Sequence, residues 1–565
     1  MNWDLTHIYK SDEELKKTLE KLEKRSLDFA LKYENKLKNV VEFKFVLKEL
    51  ESIYDELSRA GAYAYLKFAK NSDFGGFLQE ITNICTKIEA NLVFFEIEFC
   101  NLKNAKSIAK NCDEYSYMLD IWLKQKKYQL SVSNEQIFMK MNVNGKMAFA
   151  RLFDEYLSNI TFKLDAKTIS EEELLSKLYS PDRALRKRAA DALTKGLKSN
   201  IKTLCFIFNM IKNNHKSECE LRGYENPIRA RNLSNQISDE SVMSLIKVTE
   251  ENYHLVELYY NKKREILGYE KLEDYDRYAP LFSNAKSDWD YQKSCKIVYE
   301  TFKSFSPRFA NIMQKAIDNN AIDVYPAKNK RSGAFSYGIS PQPYVMLNHT
   351  NNQRDLFTLA HELGHLIHQS LANENLGYFN AHTPLTTAET ASVFAEMLVY
   401  DAIKDTLSKD EKKALLASKI EDIFATLFRQ ITFTNYEMIL HNHEGELSVD
   451  EFCDIWLKTS QKMFGKSLKL RKNYKYWFSY IPHFIHSPFY CYAYSYAQLL
   501  VLALFGLYKS GKCPNFVDIY TEFLASGGSK SPAELVGLFG LDLNSDEFWQ
   551  LGINEIAKMV KEFCE

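Results

Sequence analysis

A mainly α-helical protein with one small β-sheet is the fold class that three features predict: few turn-forming residues, long amphipathic runs, and one short segment where proline and glycine crowd together. Gly (20) and Pro (12) make 32 of 565 residues, about 6% and roughly half the average usage of these two residues, so elements must be long. A chain of 565 residues exceeds what one core usually organises, which predicts more than one tightly joined unit. With 45% hydrophobic residues, and Lys+Arg (73) balancing Asp+Glu (74), the composition excludes disorder and makes nucleic acid an unexpected partner.

The first helix opens at Ser11-x-x-Glu14, a capping-box pattern, and places Leu15, Leu19, Leu22, Phe29 and Tyr33 at helical spacing. The same mixture of apolar and charged residues fills positions 40–130, broken only by Gly61 and Gly75-Gly76, and predicts a helical bundle. Ser133-Asn134-Glu135 and Ser180-Pro181-Asp182-Arg183 mark further helix starts, the latter with proline in the first turn. Between Ala321 and Thr350 come Pro326, Gly333, Gly338, Pro341 and Pro343, with β-prone runs at Ala334-Phe335-Ser336-Tyr337 and Tyr344-Val345-Met346-Leu347. A small sheet is expected there. Helical periodicity then returns, with a capping box at Ser408-x-x-Glu411 and a helix start at Ser531-Pro532 after the Gly527-Gly528 break. The expected division is an N-terminal helical region over 1–190 and a region carrying the chemistry over 191–565.

The longest apolar run, residues 499–505, is too short to cross a bilayer, and the first ten residues lack a basic segment followed by an apolar one. Ten scattered cysteines without a CxxC pair suit reduced thiols. A cytoplasmic protein without a membrane partner is expected.

His361-Glu362-Leu363-Gly364-His365 is the sharpest chemical signal. Residues four apart share a helix face, so both imidazoles can converge on one metal ion while Glu362 leans over the open coordination position. With 12 histidines in the chain, about 0.02 chance matches to HExxH are expected. Zinc bound by two histidines needs a further protein ligand. The histidine-type extension is missing, because His368 and Leu371 occupy the required positions. Glu374, Glu389 and Glu396 remain. Glu374 lies too far along the same helix, whereas Glu389 follows a turn-rich stretch and starts a second helical run that can pack on the first. Glu396, two turns further on, is placed to orient a ligand histidine. His441 and His443 beside Glu444 read as a solvated bend rather than a second metal site.

Taken together, His361-Glu362-Leu363-Gly364-His365, Glu389-Thr390-Ala391-Ser392 and Glu396 resemble the zinc signature of thimet-type oligopeptidases, most closely the oligoendopeptidase F branch. The resemblance extends to Trp3-Asp4-Leu5, Arg331-Ser332-Gly333-Ala334-Phe335, Ile481-Pro482-His483-Phe484 and Phe523-Leu524-Ala525-Ser526-Gly527-Gly528-Ser529, so it spans nearly the whole chain. It implies a clam-like helical peptidase with a deep central channel, a small β-sheet beside the zinc site, and short peptides as substrates. It also implies that a histidine and tyrosines after the zinc helix contact the peptide and its oxyanion. His483 and Tyr492 match best, with Tyr490, Tyr494 and His486 as register alternatives.

The alternation Tyr490, Tyr492, Tyr494, Tyr496 has a strand period, yet the following Ala497-Gln498-Leu499-Leu500 favours a helix, and the residues alone leave both open. Gly333, Ala334 and Phe335 resemble a substrate-contacting edge strand, the plain alternative being a turn at Gly333. The expected function is zinc-dependent cleavage of internal bonds in short peptides, with one Zn²⁺ on His361, His365 and Glu389 and with Glu362 as general base. The alternatives are a carboxypeptidase-like zinc exopeptidase and a noncatalytic peptide-binding protein with structural zinc.

Overall fold

The computed structural model describes residues 3–282 and 289–565, and the chain divides into two compact units, each assembled from separate stretches. The first comprises Met1–Lys127, Lys286–Ile403 and Gly511–Leu541; the second comprises Tyr128–Ala285, Lys404–Ser510 and Asp542–Glu565. Residue 190, the expected boundary, lies inside the 40-residue helix Arg183–Arg222. Helices dominate both units, as the composition predicts, and the described residues form three small sheets of two or three strands where one was expected.

In the first unit, Ser11 Oγ accepts the Glu14 N–H at 3.2 Å and starts the helix Asp12–Tyr33. Its Leu15, Leu19, Leu22 and Phe29 pack into one core with Val46, Leu50 and Ile53 of the helix Phe43–Lys70 and with Ile81, Ile88, Phe95 and Phe99. The predicted sheet has three strands. Tyr344–Met346 is central and buried, Ile322–Asp323 runs parallel to it, and Phe335–Tyr337 is the antiparallel edge strand. Trp3 packs on this sheet, its ring 6.2 Å from those of Phe335 and Tyr344. The sheet leads into the helix Gln353–Asn375, whose start is closed by a reciprocal Asn352–Asp355 capping box.

In the second unit, Asp182 rather than the proline turn caps the helix Arg183–Arg222, and Ser131 rather than Ser133 caps Val132–Asn144. The boxes at Ser408/Glu411 and, in the first unit, Ser531/Glu534 form as read. Among the described residues no helix is long and apolar enough to cross a membrane, and all ten cysteines are free.

Candidate metal centre

The HExxH segment lies in the middle of the helix Gln353–Asn375, where Leu356, Leu359, Leu363, Leu366 and Ile367 are buried and hold the helix in place. His361 and His365 project from one face, their ring centroids 4.9 Å apart. Glu389 sits between the short helix Leu385–Ala388 and the helix Thr390–Ile403. Its Oε2 lies 3.4 Å from His361 Nε2 and 3.3 Å from His365 Nε2. One ligand atom from each residue falls within 4.8 Å of the others. Nitrogen and oxygen ligands about 2.0–2.1 Å from a tetrahedral zinc stand about 3.3 Å from one another, so this donor set fits such an ion in type and spacing.

The surroundings fix each donor. Glu396 Oε1 meets His361 Nδ1 at 2.7 Å, which leaves Nε2 to face the centre. Ser392 Oγ donates to Glu389 Oε2 at 2.7 Å and to the Glu389 backbone carbonyl at 3.0 Å. Burial alone would lower the His361 imidazole, but the hydrogen bond and charge of Glu396, with the charges of Glu389 and Glu362, raise it to about 9. Burial works against ionisation of Glu389, and His365, His361 and Ser392 overcome it, bringing that carboxyl down to about 2. Glu362 is only 6% exposed, and burial raises its carboxyl above the ordinary value although both histidines oppose the rise. Three carboxylates around two imidazoles make a charge balance that favours a divalent cation.

Several positioning residues escaped the sequence reading. Gly364 is where the two helices cross: a Cβ there would lie 2.5 Å from the Ala391 carbonyl oxygen and 2.7 Å from Ser392 Cα. A glycine within a helical motif was the available signal. His368, one turn beyond His365, is buried and lies close to the Ala388 backbone beside Glu389. Tyr520 Oη donates to the Thr390 carbonyl at 3.0 Å, and the Gly528 N–H donates to the Asn380 carbonyl at 2.7 Å. Gly527-Gly528 therefore braces the loop that leads to Glu389. Glu374 turns away to an ion pair with Arg308.

Residues Gly333, Ala334 and Phe335 enter the edge strand, with Gly333 in the left-handed region at φ +81°. This strand packs beside the metal-site helix, where Ser336 Oγ donates to Gln369 Oε1 at 2.8 Å.

The second unit settles the tyrosine pattern. His483–His486 is one helical turn, and Tyr492 opens the helix Tyr492–Ser510. Alternate tyrosines on a helix separate by fours. Tyr492 and Tyr496 both face the interior, and Tyr490 and Tyr494 form the other pair, their rings 5.1 Å apart. Tyr492 is 0% exposed, donating to Asn232 Oδ1 at 2.6 Å and accepting from Asn235 at 2.9 Å. It is a core residue, not the peptide contact it was matched to. Tyr494 Oη instead lies 3.3 Å from His483 Nε2, and Tyr490 stacks on His483 with centroids 6.1 Å apart. His486 pairs with Asp154 at 2.8 Å. The expected bend forms at residues 443–445, whereas His441 closes the helix Phe428–Asn442 with its ring 4.8 Å from that of His215, and desolvation drives its imidazole well below the ordinary value. Among the described residues, His361, His365 and Glu389 are the one group with metal-ligand geometry.

Comparison with known proteins places this chain among the peptidases. The family model described as Peptidase family M3 matches residues 176–555, and one described as Oligopeptidase F matches residues 101–162. The chain is 26% identical to an oligoendopeptidase F homolog of Borreliella burgdorferi, over 99% of this chain and 98% of the relative. It is also 26% identical to oligopeptidase PepF of Bacillus subtilis, over 99% and 86% respectively. The solved oligoendopeptidase-F of Enterococcus faecium shares the fold, with a TM-score of 0.72 and 18% identity over 98% of each chain. The chain belongs to peptidase family M3.

Proposed function

We propose that this protein is a zinc-dependent oligoendopeptidase hydrolysing internal bonds of short peptides, with one Zn²⁺ held by His361, His365 and Glu389. The observation that carries this reading is the convergence of those three donors beside a buried carboxylate, Glu362. When bound, the ion would supply Lewis acidity, polarising the scissile carbonyl and bringing the pKa of water toward about 7. Glu362 accepts the proton of the attacking water on a carboxylate oxygen. Its raised pKa brings it nearer neutral pH, where a base can also return the proton to the departing amine. Glu396 keeps His361 in one orientation.

The edge strand Phe335–Tyr337 suits an extended peptide, which can add to it by backbone hydrogen bonds, and the small residues Gly333 and Ala334 permit close approach. His483, Tyr494 and Tyr490 are assigned to peptide contact and to hydrogen bonding of the oxyanion, a role supported by the family resemblance and by their mutual packing. The free cysteines support a reducing, cytoplasmic setting.

The test is Glu362→Gln, assayed on an internally quenched peptide together with zinc analysis. A loss of about 10²–10⁴-fold in kcat with zinc stoichiometry retained is expected. Full hydrolysis by this variant would reject Glu362 as the base.

A further inference from the structure

In the second unit, two arginines distant in sequence meet on one phenol. Arg277 follows the turn Asp274–Asp276 and donates to Tyr278 Oη at 2.6 Å and to Tyr474 Oη at 3.2 Å. Arg429, near the start of the helix Phe428–Asn442, donates to the same Tyr278 Oη at 3.2 Å. The Nε–H groups of both guanidiniums are buried and find no acceptor among the described residues.

The acids of the neighbourhood are engaged elsewhere. Asp276 is held by Arg183 and Arg186 at 2.8 and 2.9 Å, and Asp274 by Arg471 at 2.7 Å. Glu421 takes Lys263 at 2.6 Å and Tyr259 at 2.7 Å. Two guanidiniums sharing a single oxygen repel each other, and the rings of Tyr278, Tyr474 and Phe433 beneath them offset their desolvation only in part, which an anion would complete. Burial raises the Tyr278 phenol, yet the two positive charges outweigh it and bring the group below the ordinary tyrosine value, which reports the strength of the local positive field.

Arg277 is buried, whereas Arg429, Tyr278 and Tyr480 are only partly covered, so solvent reaches the pair. The same field touches His483, whose imidazole is lowered first by burial and next by Arg429. Arg429 lies over the Phe433 ring at 5.1 Å, and that ring packs at 5.5 Å on Phe484, the residue after the histidine assigned above to peptide contact.

We propose that Arg277 and Arg429, with Tyr278 between them, form a subsite for the free C-terminal carboxylate of a peptide substrate. The inference rests on the peptide-hydrolysis reading. A carboxylate offers two oxygens to two forked donors in charge-assisted hydrogen bonds. A terminal carboxylate is also what every short peptide carries and an internal segment of a folded protein lacks, so the subsite would favour peptide ends.

The test measures binding to Glu362→Gln of a fluorescently labelled short peptide without acidic side chains. The peptide is compared as the free acid, as the C-terminal amide, and as an amide carrying an internal glutamate. The free acid is expected to bind roughly 10–100-fold more tightly than the amide, and the internal glutamate to leave the amide weak. In Arg429→Gln the ratio of acid to amide affinity should fall to about one, and in Arg429→Lys it should recover in part, because lysine keeps the charge without the fork. Equal binding of acid and amide by the otherwise wild-type pair overturns the proposal even if the arginine variants fail to fold, and recovery of affinity by the internal glutamate overturns the terminal source of the carboxylate. Absence of hydrolysis of any peptide by the zinc-loaded wild-type protein is a separate result that sinks the peptidase reading itself.

Discussion

Replacing Gly364 by alanine tests whether the metal centre depends on the close crossing of its two helices. The added Cβ would lie 2.5 Å from the Ala391 carbonyl oxygen, 2.7 Å from Ser392 Cα and 2.8 Å from the Ala391 carbonyl carbon. All three are backbone atoms, so no side chain can swing aside. Restoring ordinary contact at about 3.5 Å requires the helices to part by roughly 1 Å. Overpacking of this kind costs about 1–3 kcal/mol. The displaced segment carries Ser392 and adjoins Glu389, and a site tolerates only about 0.5 Å of misplacement, so zinc affinity should fall by at least about tenfold. The assays are competitive chelator titration for zinc and thermal melting of the zinc-loaded protein. Gly61→Ala is the control, because nothing lies within 4 Å of its added Cβ in the helix Phe43–Lys70, and it should be neutral or stabilising by about 0.5–1 kcal/mol. Wild-type zinc affinity and an unchanged melting temperature in Gly364→Ala would refute the reasoning.

Glu396→Gln leaves His361 Nδ1 without its carboxylate and should weaken zinc binding by about 10–100-fold in the same titration, while an unchanged affinity would remove Glu396 from the site. Tyr492→Phe and Tyr494→Phe should separate stability from catalysis. The first leaves Asn232 and Asn235 short of a buried partner, at about 1–3 kcal/mol in denaturant unfolding, and the second lowers kcat by roughly 10²–10³-fold if its phenol serves the oxyanion. Glu437 gives a pH signature. Burial, only partly opposed by the Phe489 N–H and Arg231, raises its carboxyl to about 8. The folded protein then holds a proton that the unfolded chain loses near about pH 4.3, so this contribution is complete below that pH and declines by roughly 1.4 kcal/mol per unit until about pH 8. Glu437→Gln should flatten the loss of melting temperature between pH 6 and 8; an identical slope in both proteins would contradict the assignment.

The sequence carried much of this because the HExxH spacing is local: one helical turn fixes where His361, Glu362 and His365 point, whatever surrounds them. Glu389 was legible through the start of a second helix, and the sheet through its clustered prolines and glycines. The tyrosine segment was not, since a period of two is also what two helical faces produce when tyrosines at i, i+2, i+4 and i+6 divide between core and surface. Arg277 and Arg429 stand 152 positions apart, and nothing in either neighbourhood announces that they share Tyr278. The two units were hidden for the same reason: each is stitched from stretches far apart in the chain.

The Tyr520 and Gly528 contacts carry a consequence for synthesis. Both lie in Gly511–Leu541, the last stretch of the first unit, and hold the loop and helix that present Glu389. A ribosome that has released the histidine helix must still add more than a hundred amino acids before that clamp emerges, so a nascent or prematurely terminated polypeptide bears the motif without its brace. The order of emergence thus delays completion of the centre until that later stretch has left the ribosome.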